Sequence, residues 1–519
     1  MPTPINSIVI VGGGSAGWMT AATLVSQFKN KKITVIESAN IPTVGVGEST
    51  VGGIRGWMRM VGITDSEFVA ATDATYKLAI KFNNFYSKDV GPWYYPFGNP
   101  DLSETMNGRD DWFIKKAIYP ETPPEDFVNT YYPQMELVNT NKILTSGLDN
   151  FDFYNDTAFH FDAAKFGMWL RDNLCIPQGV THIVDDVVSI STNNQGIETL
   201  TLLSGEKVSA DLYIDCTGFK SLLIGETLKV PFKDYSHILP NNRAWATRIN
   251  YTDKETQLHT VTDCTAMNNG WVWEIPLWSR IGTGYVYSDK HVSPEDAKIE
   301  FINHLHNKGF NTDNCEFNDI KIRTGIHEKL WVKNVVAIGL SAAFLEPLES
   351  TGLVTTYDFA KTLCSVLHRG QISQWDRDEF NLTCEDQFNY WTQFVAMHYA
   401  LSHRDDTPYW QDIKNTSYVE LVPGLHKLQT QALFHQTIYQ KNFIKSFQND
   451  PGINCLAAGM NWNTPDNVVL TNVLSNNIDL KERFYLEMNR LEHRRLKWKE
   501  AAKTAPSVYQ YLKDTFYKN

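Results

Sequence analysis

Residues 7–37 read SIVIVGGGSAGWMTAATLVSQFKNKKITVIE, and the order of residue types in this stretch decides the fold. Ser7 to Val11 is an apolar, β-branched run bounded by glycine, which predicts a buried strand. Gly12-Gly13-Gly14-Ser15-Ala16-Gly17 is a GxGxxG turn. Trp18 to Phe28 has helical spacing, and Lys32 to Glu37 is a second strand that ends in an acid. Together these predict a βαβ unit opening a doubly wound parallel sheet. A glycine-rich turn with no ligand is the plain alternative. Here strand, turn, helix, strand and acid fall in the order a dinucleotide needs. Gly12 makes the turn, Gly14 admits a pyrophosphate, Gly17 lets the helix pack close, and Glu37 accepts from ribose hydroxyls. Ser15 and Ala16 complete the expected cofactor contacts.

The bulk numbers narrow the class. The chain has 519 residues, enough for several interleaved domains, with 47 basic and 59 acidic residues and a net charge of −12. The absence of a long basic run argues against nucleic acid as a partner. Seven scattered cysteines without a CxxC pair fit a reducing compartment and exclude a cysteine zinc site. The N-terminus runs straight into the glycine turn, and no window has the apolar length of a membrane span, so the expected location is cytoplasmic. A homo-oligomer is compatible with all of this.

Further along, residues 84–160 are rich in Tyr, Trp, Pro, Asn and Asp and predict long loops with short helices. Residues 161–174 predict a helix, 182–215 a β-meander, 240–290 a second sheet, and 332–370 a strand, a loop and a helix. From about residue 376 the pattern is helical and includes a basic amphipathic tail. No repeat or low-complexity linker divides the chain. The expected organisation is a discontinuous cofactor module (1–75, 151–235 and 320–370), a substrate and β-sheet module (76–150 and 236–319), and a helical C-terminal region (371–519) covering the substrate site.

Two later strands bear on which dinucleotide is bound. Asp211-Leu212-Tyr213-Ile214-Asp215-Cys216-Thr217-Gly218 and Val335-Val336-Ala337-Ile338-Gly339 each end in a small-residue turn. Both resemble the additional FAD signatures of the large FAD monooxygenase fold (hydroxybenzoate-hydroxylase and glutathione-reductase-like). That family usually has a polar residue after the second glycine, where this chain has Leu340, so the contact there comes from backbone or neighbours. No second GxGxxG serves NAD(P)H, which implies that reduced flavin arrives from a separate NAD(P)H-dependent reductase.

Residues 344–352 read FLEPLESTG and lead into an apolar helix that Ser350 or Thr351 can cap. The free N–H groups of such a helix make a small anion site. Residues 270–277 read GWVWEIPL. In a strand Trp271 and Trp273 share one face, with Val272 and Glu274 on the other, and Pro276 ends the run. FLEPLESTG matches the FxxPxxSxG signature of flavin-dependent halogenases, and WVWEIP matches their WxWxIP signature. GVGEST (45–50), TYKLAIKF (75–82) and SRIGTGYVYS (279–288) are similar to that family as well, so the resemblance runs from residue 7 to about residue 410.

The resemblance implies FAD, used as FADH2, and a halide ion. A flavin C4a-hydroperoxide would oxidise chloride, bromide or iodide to hypohalous acid, which travels to an active-site lysine. It implies Lys77 and Glu349 as catalytic residues, and Ser350, Thr351 and Gly352 on the halide. Gly47, Glu48, Ser49, Gly339 and Leu340 join the flavin contacts. The substrate and tunnel residues are Trp271, Trp273, Ile275, Pro276, Phe344, Tyr95, Pro96 and Phe97. The last three come from Trp93-Tyr94-Tyr95-Pro96-Phe97-Gly98, which resembles the segment that sandwiches indole in tryptophan halogenases, with Tyr95 where histidine is usual. Without the resemblance, Tyr76 to Phe82 reads as one alternating strand with Lys77 and Lys81 solvated on its polar face. Glu346 reads as structural. The tyrosine pair and glutamate that hold the amino-acid backbone in tryptophan halogenases are not recognisable beyond residue 420. The expected substrate is therefore a free electron-rich aromatic such as an indole or phenol. His398 and His403 lack a ligand spacing and read as structural, so no metal is expected. A flavin-dependent aromatic hydroxylase and a degenerate flavin-binding protein are the alternatives. The first leaves Lys77 together with WVWEIP unexplained, and the second rests on Leu340 alone.

Overall fold

A computed structural model describes residues 3–40, 47–88, 90–101, 112, 115–116, 118–416, 418, 451–461 and 476–518. The GxGxxG stretch folds as its pattern predicts. The strand Ser7–Val11 runs into the helix Ser15–Gln27 and then the strand Lys32–Glu37. These two strands pair in parallel, as do Leu212–Asp215 with Ser7–Val11, Val335–Ala337 with Leu212–Asp215, and Thr181–Val184 with Lys32–Glu37. A short antiparallel strand, Trp331–Val332, closes the edge of this six-stranded sheet. Its central strands are buried on both faces, which explains their near-continuous apolar character. The helix Ser15–Gln27 packs against Thr351–Leu367 and Ala163–Leu170.

The second sheet has seven strands, in the order Asn318–Lys321, Arg243–Ile249, Ile281–Tyr287, Gly270–Pro276, Val261–Ala266, Ala79–Asn83 and Trp93–Pro96. Residues 187–208 form the expected antiparallel meander of three strands. A third, smaller sheet has three strands. It pairs Ala158–Phe161 with Glu48–Ser49 on one side and Thr75–Lys77 on the other.

Two expectations are corrected. Tyr76 to Phe82 is not one strand: Thr75–Lys77 lies in the small sheet and Ala79–Asn83 in the seven-stranded sheet. Leu78 makes the break, with its N–H donating to Thr260 O (2.7 Å) and its carbonyl accepting from Phe97 N (3.0 Å). The aromatic segment at 93–96 is a strand rather than a loop, antiparallel to Ala79–Asn83, with Pro96 at its end where no donor is needed.

The described part of the C-terminal region is helical, with Gln374–Ala400, Pro408–Asn415, Pro451–Gly459, Ile478–Lys503 and Val508–Thr515. Pro451–Gly459 packs onto Trp93–Pro96, where a Cβ at Gly459 would come within 2.3 Å of Trp93 and one at Gly452 within 2.8 Å of Tyr95. Residues 419–450 and 462–475 of the expected substrate-covering region, residues 102–111 of the expected loop insertion, and the first two residues of GVGEST lie outside the described residues. No helix among the described residues is long and apolar enough to cross a membrane. All seven cysteines are free thiols.

Candidate active site

The glycine turn builds an open edge. Gly12 has φ +114°, and a Cβ there would stand 2.2 Å from Cys216 O on the neighbouring strand end. A Cβ at Gly17 would meet Gly12 O at 1.9 Å, so side chains at either position force helix and strand apart. Gly14 differs: nothing lies within 4 Å of its Cβ position, and the helix it opens has no side-chain cap. The N-terminus of this 13-residue helix therefore has no side-chain cap and an open position at Gly14, which fits an anion such as a pyrophosphate. Gly339 (φ +77°) seats against Ala16, and Leu340 beside it is 38% exposed, an apolar surface for a ligand at this edge. Ser15 Oγ donates to Ala163 O (3.0 Å), so only its backbone amide is left for an anion. Glu37 Oε2 lies 2.9 Å from His182 Nε2, a histidine the sequence did not single out.

From this edge Gly47 and Glu48 lead inward. A Cβ at Gly47 would touch Ile275 and Leu277 of the tryptophan strand at 3.5 Å. The Glu48 carboxyl is pushed up to about 7, mainly by burial and then by Asp162. Its Oε2 lies 4.0 Å from the Cβ position of Gly352, at the start of Thr351–Leu367. Ser49, expected on the cofactor, turns its hydroxyl the other way.

It turns toward Lys77. That lysine is fully buried rather than solvated, because the break at Leu78 places it in the small sheet, against Ser49, Thr50 and Ser350. Its Nζ donates to Ser49 Oγ (2.7 Å), Thr50 O (2.9 Å) and Ser350 Oγ (2.8 Å). The Phe97 ring centroid lies 5.0 Å from Nζ. Burial lowers the lysine from 10.5 to about 7, with Cys264 and Glu349 pulling the other way. The ammonium is thus disfavoured by on the order of 5 kcal/mol relative to water. Lys81, by contrast, pairs with Asp263 at 3.3 Å near the surface.

Ser350 sits at the N-cap of Thr351–Leu367 but does not cap it. Its φ of +57° and ψ of +36° turn the side chain to Lys77 and on to Ser49, to which its Oγ donates at 3.0 Å. A non-glycine residue in this region costs on the order of 1 kcal/mol. The consequence is an uncapped 17-residue helix whose first residue, Thr351, has a buried hydroxyl without a hydrogen-bond partner. An open N-terminus and an orphaned donor together suit a small anion.

Two buried carboxylates flank this point. Glu346, read from the sequence as structural, is held through one oxygen. Its Oε2 accepts from Trp271 Nε1 (2.8 Å), Asn241 Nδ2 (2.8 Å) and Tyr399 OH (2.9 Å), while burial pushes the carboxyl up. Glu349 is fully buried, and neither oxygen has an aligned hydrogen bond among the described residues. His398 Nε2 approaches its Oε1 at 2.8 Å, off the line of a straight hydrogen bond. Sequence reasoning set His398 aside. It stands near the end of Gln374–Ala400, stacked on Trp93 (5.5 Å) and edge-on to Phe394 (5.7 Å). His403 packs on Tyr86 instead (4.7 Å), and no metal-binding cluster occurs among the described residues.

Trp271 and Trp273 share a face, with ring centroids 6.1 Å apart. Trp271 is tied to Glu346, Trp273 pairs in register with Cys264, and Ile275 touches Gly47. The strand therefore spans from the FLEPLES loop to the Gly47 turn. Pro276 O accepts from Thr75 Oγ1 (2.6 Å) beside the lysine strand. Tyr95 and Phe97 lie 6.1 Å apart, and Phe394 lies 5.9 Å from Tyr95. Phe344 packs on Phe219 at 5.3 Å, just after the strand Leu212–Asp215. His160 and Thr262, which join the Lys77 cluster through Ser49, had no visible signal in the sequence.

The model of the tryptophan halogenase family matches residues 7–464. Over 487 residues the chain is 32% identical to tryptophan 6-halogenase ThaL from Streptomyces albogriseolus, covering 89% of this chain and 90% of that one. Among solved structures, one described as VirX1 in its apo form is 36% identical with a TM-score of 0.89, covering 99% of this chain and 100% of its own. BrvH, a flavin-dependent halogenase from Brevundimonas sp. BAL3, is 29% identical with a TM-score of 0.81, covering 98% and 99%.

Proposed function

The chain belongs to the tryptophan halogenase family of flavin-dependent halogenases, and on that premise we propose that it halogenates a free electron-rich aromatic such as an indole or a phenol. The reaction uses FADH2, dioxygen and chloride, bromide or iodide, with reduced flavin delivered by a separate NAD(P)H-dependent reductase. The observation that carries this reading is Lys77: a fully buried amine, lowered to about 7, facing an aromatic ring within reach of a carboxylate that lacks an aligned hydrogen bond.

The residues that hold FAD are Gly12, Gly14, Ala16 and Gly17, the backbone amide of Ser15, Glu37, Gly47, Glu48, Gly339 and Leu340. When bound, the reduced flavin and dioxygen supply the two-electron oxidant that turns halide into hypohalous acid. The hydroxyl of Thr351 and the open amides of its helix, near Gly352, hold the halide. Lys77 receives the hypohalous acid, either by hydrogen bonding or as a haloamine, and aims the electrophilic halogen at a ring carbon. Glu349 balances the positive charge that builds on the ring and accepts the proton displaced by halogen. Phe97 and Tyr95 supply the aromatic wall for the substrate. Trp271, Trp273, Ile275, Pro276 and Phe344 close the route between flavin and substrate to anything larger than the oxidant.

The test supplies a flavin reductase, NADH, oxygen and halide with a panel of indoles and phenols, tryptophan included, and reads products by mass spectrometry. Halide-dependent product that disappears in Lys77→Ala supports the reading. Oxygenated product without halide would identify a hydroxylase, and bound FAD with no turnover a flavin-binding protein.

A further inference from the structure

Lys77 is the start of a hydrogen-bond chain whose far end is a second buried base. Ser49 Oγ, which accepts from Lys77, lies 2.6 Å from Thr262 Oγ1. Thr262 Oγ1 lies 2.8 Å from His160 Nε2, and His160 Nδ1 lies 3.3 Å from Thr75 Oγ1. Thr75 Oγ1 in turn donates to Pro276 O at 2.6 Å. Every member is buried.

The donor directions follow from one carbonyl. Pro276 O can only accept, so the Thr75 hydroxyl spends its proton there and accepts from His160 Nδ1. His160 is held neutral, since burial and then Lys77 lower it well below its usual range. Its proton is therefore on Nδ1, and bare Nε2 accepts from Thr262. Thr262 must then accept from Ser49. Ser49 takes one donation from Lys77 and one from Ser350, which fills both lone pairs. Each hydrogen has one place, and all run from Lys77 toward His160. A doubly protonated His160 would reverse Thr262 and leave Ser49 with more donors than it can accept.

We propose that His160 is a positioning residue for Lys77, the terminal acceptor that takes up its proton through Ser49 and Thr262 when the ammonium becomes an amine. The inference rests on the reading of Lys77 as the residue that meets hypohalous acid. An ammonium has no lone pair, so a haloamine forms only after a proton leaves. The Nζ–H bond breaks as a Ser49 O–H forms, the former Ser49 proton passes to Thr262, and the former Thr262 proton passes to His160 Nε2. The net products are the amine and an imidazolium. The amine then reacts with hypohalous acid: N–H and O–halogen bonds break, and N–halogen and O–H bonds form, releasing water. Loss of charge on Lys77 removes one of the two effects that oppose charging His160, burial being the other and the larger. The other titratable groups facing Lys77 are Cys264 on Val261–Ala266 and Glu349 on the loop before Thr351–Leu367, with His398 behind Glu349. None of them hydrogen-bonds to Nζ, and Glu48 and Asp162 flank Ser49 and His160 in sequence.

The experiment is a pH profile of single-turnover halogenation of an indole, with flavin reduced anaerobically and the reaction started by oxygen. With the internal acceptor, the wild-type rate falls by less than about threefold per pH unit below 7, because part of the transfer does not depend on bulk pH. His160→Gln keeps both hydrogen bonds but cannot take the proton, so its rate falls by about tenfold per pH unit below 7. Thr262→Val gives the same slope, and Thr262→Ser restores the shallower wild-type profile. Melting temperature and reduced-flavin affinity monitor folding, and the Thr262 pair carries the test if His160→Gln does not fold. Profiles of His160→Gln and Thr262→Val that coincide with wild type overturn the proposal. If Lys77→Met halogenates at the wild-type rate, the reading of the lysine fails as well. If Lys77→Met is inactive while the His160 and Thr262 profiles are unchanged, only the role of His160 fails.

Discussion

Glu349 Oε1 and His398 Nε2 stand 2.8 Å apart with both side chains fully excluded from solvent. His398 Nδ1 donates to Phe394 O at 3.1 Å, which aims Nε2 at Glu349. The approach lies off the line of a straight hydrogen bond, and neither Glu349 oxygen has an aligned donor among the described residues.

His398→Phe keeps a ring among Trp93, Phe82 and Phe394 but removes the nitrogen that stands beside Glu349. Its kcat should fall by about 100-fold with KM changed by less than about threefold, the mark of a group acting after substrate binds. Glu349→Gln should lose at least as much. A KM effect in steady-state kinetics without a kcat effect would count against both.

Lys77 also links stability to pH. Its folded-state value of about 7 lies below 10.5, so between these the unfolded chain binds a proton that the folded chain does not. The lysine penalty is complete below pH 7 and is relieved as pH rises toward 10.5. The stability of wild type relative to Lys77→Met should therefore increase from pH 7 to pH 10 in urea denaturation. A difference that is flat over this range would mean the lysine is not desolvated.

The glycine turn separates fold from binding. Gly12→Ala and Gly17→Ala collide with backbone at 2.2 and 1.9 Å and should prevent folding or lower the melting temperature sharply. Gly14→Ala meets no atom within 4 Å, so it should keep the wild-type melting temperature while weakening FAD binding by at least about tenfold. Fluorescence titration with FAD reads the second effect. Unchanged affinity in Gly14→Ala would argue against a pyrophosphate at this edge.

Trp271→Phe removes the indole donor to Glu346 while keeping most of the packing. Leaving a buried carboxylate one donor short should cost about 1–3 kcal/mol, visible in chemical denaturation. Retained flavin binding and a normal product profile in the surviving enzyme would assign this tryptophan to scaffold rather than to the wall between flavin and substrate.

The glycine edge was legible because its signals are local. Gly12, Gly14 and Gly17 act within one turn, and the apolar runs at 7–11 and 32–37 are long enough to be recognised without their partners. The pairs FLEPLESTG and WVWEIP were legible only as a resemblance, since their local patterns read equally well as a capped helix and a packed strand. In the fold, Ser350 does not cap its helix at all, because its hydroxyl is taken by a lysine 273 positions away.

From the sequence alone came the parallel sheet, the glycine edge, and the lysine and glutamate as residue types worth attention. The tertiary structure decided what those residues are chemically. Lys77 is an ordinary surface lysine until the chain breaks at Leu78 and buries it between Ser49, Thr50 and Ser350. Glu349, His398, His160 and Thr262 come from four separate elements and meet only when the sheets and the long helix pack. Propensity and periodicity report on neighbours a few residues apart. Desolvation and hydrogen-bond direction depend on groups hundreds of residues apart, and these determine where the protons sit in this site.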